Sequence, residues 1–401
     1  MSLIKHRFIR NVLRRKLGIS IHLSIILLFL FMNLMWLGFS IVLFINLLYF
    51  LIRRSNRISN RYFRLILNYV IILSSLYFAS IFFRIFIGQV FIVSSKSMEN
   101  TLYQGDVIFV SKLSYGPLLS DFNIRFHEIL NQLKLTHTFN KNKNDSYEPI
   151  RLSPKKHVQQ GDIVVFKQPS DQFVIKRCIA TSGNQLWIKQ GNLYVNHQPY
   201  IGPQTIKFPK QLIVKNNREF EKLIDSLNIP LFVGNEFNDS VMYHGFLTNE
   251  SISKLSKFPN LINISNDSKL MMIRENPFAN PLDFDWDLSN MGPFRVPQKG
   301  ETINLNPFNL EIYKNILDVY ELNQDDASQS VDSIDDKQKR ILESTFSNDY
   351  LFLMGDHRSL SRDSRITGFV PENKVLGKAT VILFSYVNGR IDRSSFLRKV
   401  D

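Results

Sequence analysis

The chain has 401 residues, enough for two or three folded units, each with its own core. Its formal charge of +14 is uneven: residues 1–98 carry 13 Lys and Arg and no acid, while the other 303 carry 36 basic and 35 acidic residues. A basic excess confined to the borders of apolar segments is the pattern of cytoplasmic membrane flanks and argues against a nucleic-acid partner, while the lone Cys178 excludes an internal disulfide, and no Cys or His cluster has metal spacing. No cofactor or metal is expected.

Residues 20–52, "SIHLSIILLFLFMNLMWLGFSIVLFINLLYFLI", carry no charge and are too long for a signal-peptide core, which runs to roughly 7–15 apolar residues. At ~1.5 Å per residue they overreach a ~30 Å bilayer core as one helix, yet fall short of two full spans. Both a single tilted span and a hairpin turning near Asn33 to Gly38 remain open. The linker "RRSNRISNRYFR" (53–64) has five arginines and no acid, which assigns it to the cytoplasmic side. The run "LILNYVIILSSLYFASIFF" (65–83) is close to the ~20 residues that one span needs. Residues 1–90 are thus read as a membrane anchor, and everything after residue 84 is expected on the exported face.

From residue 91 the texture changes to short β-branched runs. "DVIFVSKL" (106–113), "GDIVVFKQP" (161–169), "FVIKRCIA" (173–180), "NQLWIKQGNLYVN" (184–196) and "KATVILFSYV" (378–387) read as strands between Gly, Pro and Asn signals. "KQGN" (189–192) reads as a hairpin turn. The fold class that follows is N-terminal transmembrane helices and then a mostly-β exported domain, built from 91–199 and 351–401. Residues 200–350 interrupt it as an α/β insertion: segments at 210–216, 219–227, 240–247, 249–258 and 260–265 read as strand, helix, strand, helix, strand. The acidic stretch 325–340, "DDASQSVDSIDDKQKR", reads as a solvated, flexible loop.

Chemistry enters at "FIVSSKSMENTL" (91–102), where three serines follow the last apolar run. A serine hydroxyl needs a base close by. His357 adjoins Asp356, but chain neighbours usually point apart, and no Gly-x-Ser-x-Gly elbow is present. A lysine can serve if burial makes it neutral. In "FVIKRCIA", alternation puts Val174, Lys176, Cys178 and Ala180 on one face, so Lys176 is the only charge there. Alternation alone also allows Lys176 to sit at a strand edge and reach water.

The segments "SKSMENTLYQGDVIFVSKLSYG", "GDIVVFKQP" with "IKRCIA", and "MGDHRSLSRDSRITGFVP" (354–371) resemble, in order, the boxes of bacterial type I signal peptidases, in a long, insert-bearing form. The resemblance implies a membrane-bound serine endopeptidase that removes signal peptides from exported preproteins. Ser97 would be the nucleophile and Lys176 the general base. It also implies Ser95 as an oxyanion donor beside the Ser97 N–H, Ser361 as the residue orienting the lysine, and Asp363 with Arg365 as a supporting ion pair. Gly355, Asp356 and Arg358 would be framework residues, and Met98 would lie near the bilayer. The implied partners are signal peptides and the lipid bilayer. The implied location is the bacterial inner membrane, with the catalytic domain on the periplasmic side. The family usually has Pro at the positions of Ser94 and Asn100, a small residue at Lys96 and Asn at His357; losing a proline frees a loop. The contrasting reading is a catalytically silent, membrane-anchored binding protein that holds partners through its insertion.

Overall fold

The computed structural model describes residues 35–118, 151–152, 156–170, 172–215, 217–237, 239–280, 284–321, 343–387 and 390–400. The chain divides into two compact units, Met1–Phe83 and Arg84–Asp401.

In the first unit, the apolar helix Met35–Ser55 ends on Arg53 and Arg54, cations suited to the negative end of a helix. The Met35–Gly38 part of the expected hairpin turn is helical, and residues 20–34 lie outside the described residues. A second helix, Arg61–Phe82, is started by Asn60, whose side chain accepts the N–H groups of Tyr62 and Phe63 at 3.0 and 3.1 Å. With the π-turn that continues it, this stretch runs from Arg61 to Ile87, 27 residues, and is long and apolar enough to cross a membrane. It is the one such helix among the described residues. Its Ile66, Tyr69, Leu73 and Leu76 side chains point outward, as an apolar solvent would require.

The second unit is organised by a nine-stranded antiparallel sheet drawn from both ends of the chain. In spatial order its path runs Gly88–Ile92, Asp106–Ser111, Val375–Val387, Ile163–Lys167, Phe173–Ala180, Tyr350–Met354 and Val370–Pro371. The first of these begins inside the stretch read as anchor, at Gly88, runs past its end, and is the edge strand of the sheet. Phe173–Ala180 is interior, flanked by Ile163–Lys167 and Tyr350–Met354. From Lys176 onward it is buried on both faces, charges included, because strands cover it on both sides. Val375–Val387 spans the junction of several partners and shifts register three times to do so. Beneath the serine-bearing segment, Val93, Met98 and Leu102 pack with Ile108, Val110, Ile163 and Ile382. Met98, expected near the bilayer, is a core residue, 1 % exposed.

The segment read as one insertion divides in two. Residues 207–266 form a separate four-stranded sheet in the order Leu261–Asn266, Lys207–Lys215, Ser240–Thr248, Leu231–Phe237. Helices Asn217–Ser226 and Asn249–Leu255 accompany it, and Phe220, Ile224 and Leu255 pack with Leu212, Val214, Tyr243 and Leu247 in its core. The following stretch instead joins the core on the nine-stranded sheet: Met291–Arg295 pairs with Gln185–Lys189, and Trp286, Phe294, Ile312 and Tyr313 pack with Ile179, Phe352 and Phe369. The 325–340 loop lies outside the described residues.

Candidate active site

The Gly88–Ile92 strand stops before the serines, and residues 95–100 form a bend and turn closed by Glu99 N–H to Lys96 O at 3.0 Å and Leu102 N–H to Met98 O at 2.8 Å. Strand alternation therefore does not set their directions. The bend nevertheless puts Ser95 Oγ 3.2 Å from Ser97 Oγ. Ser97 is 7 % exposed, while Ser94, Ser95 and Lys96 face outward. Asn100, where proline would be usual, has φ = 77°, a left-handed conformation that asparagine tolerates and proline cannot reach. Its Nδ2 donates to Thr205 O at 3.2 Å, so the turn is tied down here and not loosened.

Lys176 comes to the same point from the sheet interior. Its Nζ donates to Ser97 Oγ at 2.8 Å, and the side chain is 4 % exposed, which leaves no route to water of the kind a strand edge would give. Burial pushes the amine down from its ordinary 10.5 to about 8; Asp363 and Asp356 oppose the shift and Arg365 adds to it. An amine of this kind is in part neutral near pH 7–8, and at 2.8 Å it can take the hydroxyl proton. His357, the other conceivable base, points elsewhere. Its Nδ1 meets Ser359 Oγ at 3.1 Å, its ring lies 5.0 Å from that of Phe246, and burial followed by Lys207 lowers it to about 4.

Residues 354–365 wrap behind this pair. His357 N–H holds Ser97 O at 3.0 Å. Gly355 is required there by space: a Cβ on it would fall 2.5 Å from Ser97 O and 2.2 Å from Ser361 Oγ. Asp363 caps the turn Ser364–Thr367, receives Gly355 N–H at 3.1 Å, and accepts Arg365 Nε and Nη2 at 2.9 and 3.0 Å. Despite the burial that would raise it, the Arg365 guanidinium and these hydrogen bonds hold the Asp363 carboxyl below its usual range. Ser361 is buried; its side chain helps hold the Asp363 carboxyl down, and it makes no hydrogen bond to Lys176, whose Nζ donates to Ser97.

Several contributors escaped the sequence reading. Arg177, next to the lysine but on the opposite face, makes a two-pronged pair with Asp356 through Nε at 2.9 Å and Nη2 at 2.8 Å. Thr101 Oγ1 donates to the same carboxylate at 2.5 Å and also contacts Thr205 Oγ1 at 2.9 Å. Lys207 N–H donates to Asp356 O and Arg358 N–H to Lys207 O, so the first strand of the small subdomain is stitched to the 354–365 segment. Lys207 Nζ also reaches Glu99 at 3.1 Å. A second charge in an otherwise apolar strand, Arg177, was the signal available in sequence. Away from this site, His157, Asp349 and Glu372 bring ligand-type atoms within 4.8 Å of one another. The Glu372 and Asp349 carboxylates there already accept the N–H groups of Val158 and Lys299.

Comparison with known proteins bears on this arrangement. Residues 62–252 and 295–384 match the family described as "Signal peptidase, peptidase S26". Signal peptidase I of Rickettsia prowazekii is 32 % identical over 124 residues, covering 28 % of this chain and 40 % of the relative. That of Rickettsia typhi is 31 % identical over 124 residues, with the same coverage. That of Haemophilus influenzae is 62 % identical over 34 residues, 8 % of this chain and 10 % of the relative. The alignments thus span less than half the length of these relatives. The family match, in contrast, takes in the serine turn, the buried lysine and most of the sheet that joins them, and on that ground the chain belongs to the signal peptidase family, peptidase S26.

Proposed function

We propose that this protein is a membrane-bound serine endopeptidase that cleaves signal peptides from exported preproteins, with Ser97 as nucleophile and Lys176 as general base. The observation that carries the reading is the 2.8 Å contact between a buried amine, lowered to about 8, and a serine hydroxyl. The Lys176 lone pair takes the Ser97 proton as Oγ bonds to the scissile carbonyl carbon. The resulting oxyanion is met by Ser95 Oγ and the Ser97 N–H. Collapse breaks the C–N bond, and the Lys176 ammonium gives its proton to the departing amine. Lys176 then deprotonates a water that cleaves the acyl ester and releases Ser97. Asp363, Arg365, Gly355, Asp356 and Arg177 hold the two partners in register. Ser361, whose Oγ lies close against Gly355, is assigned to orient the lysine once substrate is bound. The Arg61–Ile87 helix supplies the anchor, the arginines at 53–64 keep that end in the cytoplasm, and the catalytic unit lies on the periplasmic side of the inner membrane.

Detergent-solubilised protein incubated with a preprotein should yield the mature product. Ser97→Ala, Lys176→Ala and the double variant should fall to one common residual rate, because losses within a catalytic unit do not add. Lys176→Arg should be as inactive, since a guanidinium does not give up its proton. Binding of the preprotein without cleavage by the unaltered chain would favour the silent binding protein instead.

A further inference from the structure

Three successive residues of the serine turn, Glu99, Asn100 and Thr101, grip one short stretch of chain. Glu99 Oε2 accepts Lys207 Nζ at 3.1 Å, Asn100 Nδ2 donates to Thr205 O at 3.2 Å, and Thr101 Oγ1 meets Thr205 Oγ1 at 2.9 Å. Thr205 and Lys207 flank Ile206, which is 1 % exposed, so the stretch is pinned by a buried side chain of its own. Asn100, at φ = 77°, gives the turn none of the stiffness that a proline's fixed φ would supply. Beyond its internal hydrogen bonds, the turn is steadied from outside.

Lys207 is where these tethers meet the small subdomain. It opens the strand Lys207–Lys215 and is paired there with Thr248. Its main chain donates to Asp356 O at 2.9 Å and accepts Arg358 N–H at 3.1 Å, and the residue between those two, His357, holds Ser97 O through its N–H at 3.0 Å. Its side chain reaches Glu99, two positions after Ser97. One residue thus touches both the segment that holds the Ser97 carbonyl and the turn that carries its hydroxyl. The Phe246 ring, 5.0 Å from that of His357, and the Phe208 ring, 5.7 Å from the Arg358 guanidinium carbon, press the same sheet on the same segment. His357 Nε2 lies 3.7 Å from Glu99 Oε2, but burial followed by Lys207 lowers the imidazole to about 4, so at neutral pH Lys207 is the cation that Glu99 answers.

We infer that Lys207 is a positioning residue for Ser97, through which the small subdomain holds the nucleophile's turn in register with Lys176, a role that rests on the assignment of those two residues as nucleophile and base. The side chains of the Lys207–Glu99 pair are 22 and 24 % exposed, and a pair so open to solvent adds little to stability. The placement of a nucleophile is far more sensitive, since a shift of ~1 Å can cost ~10² in rate. The pair therefore acts on turnover and not on the fold.

Steady-state kinetics of the whole chain in detergent, with a preprotein as substrate, tests this. Lys207→Met and Glu99→Met should each lower kcat roughly 10-fold, short of the ~10² of a full displacement because Asn100, Thr101 and the His357 N–H still hold the turn. KM should stay within about two-fold of wild type and Tm within ~2 °C. The double variant should be no slower than either single one, because both break the same contact. Lys207→Arg, which keeps a cation, should recover most of the rate. Unchanged kcat in the single variants, additive losses, an arginine variant as slow as the methionine one, or a loss of rate matched by a loss of folded protein would each overturn the inference. Glu99→Met reads the pair from the serine turn and leaves the small sheet untouched, so it decides the question even where Lys207→Met does not fold. A wild type that cleaves no preprotein would sink the proposed function and this role with it; an active wild type indifferent to both substitutions would sink this role alone.

Discussion

Lys176→Met separates the burial of the amine from the packing of its stem, because methionine keeps much of the chain length and carries no charge. Below about pH 8 the lysine is protonated in both folded and unfolded states, and the folded protein bears the full cost of the buried cation. Between about 8 and 10.5 the folded state has lost the proton and the unfolded state still binds it, so stability rises with pH; above 10.5 neither binds it and the cost is gone. The displacement from 10.5 to about 8 corresponds to ~3 kcal/mol at 1.36 kcal/mol for each tenfold change in proton affinity. Urea unfolding of both proteins in detergent from pH 7 to 11 measures it. The methionine variant should have its largest advantage below pH 8, and the wild type should recover ~3 kcal/mol relative to it by pH 10.5. Other titrating groups are common to both proteins and cancel in the difference. The same amine should set the alkaline rise of kcat/KM, with an apparent midpoint near 8. A stability difference that does not change with pH would refute the depressed lysine, and with it the general base.

Ser95→Ala should lower kcat by roughly 10²–10³ with KM little changed, because the bond it loses forms in the transition state; Ser94→Ala should stay within a few-fold of wild type, and steady-state kinetics on a preprotein distinguishes them. Gly355→Ala forces a methyl to 2.5 Å from the Ser97 carbonyl, so kcat should collapse and stability should fall by about 1–3 kcal/mol, read by activity and thermal melting. Asn100→Pro should destabilise the serine turn while Asn100→Gly is tolerated, since φ = 77° is open to glycine and closed to proline; melting curves of the pair check it.

What could be read from sequence follows the range of the interactions. Ser97 and Lys176 stood out because each sits in a short segment that resembles a family box, whereas alternation alone left Lys176 between an interior and an edge position. Ser95 was placed beside Ser97 by the family resemblance; the two hydroxyls do meet, through a bend that strand alternation does not describe. Leu231–Phe237 went unread because all but its first residue is exposed and Gly234, Asn235 and Glu236 interrupt its apolar residues, as suits the open edge of a sheet. Nothing local tells Arg177 to choose Asp356, a partner 179 positions away. The same limit hid the division of the insertion: Trp286 and Phe294 are plainly core residues, but the core they join is defined by Ile179 and Phe352, which lie far off along the chain.

The interior position of the lysine strand has a consequence for how the enzyme comes into being. Phe173–Ala180 is covered on one side by Ile163–Lys167, which precedes it, but on the other by Tyr350–Met354, which is synthesised long after. Until that late strand arrives, Lys176 lacks the burial that lowers its amine in the folded protein and should keep the ordinary lysine range. The Asp356 and Asp363 carboxylates that fix the surroundings arrive in the same closing segment. If Ser97 and Lys176 act as proposed, a growing chain would gain that activity only when this late strand closes the sheet.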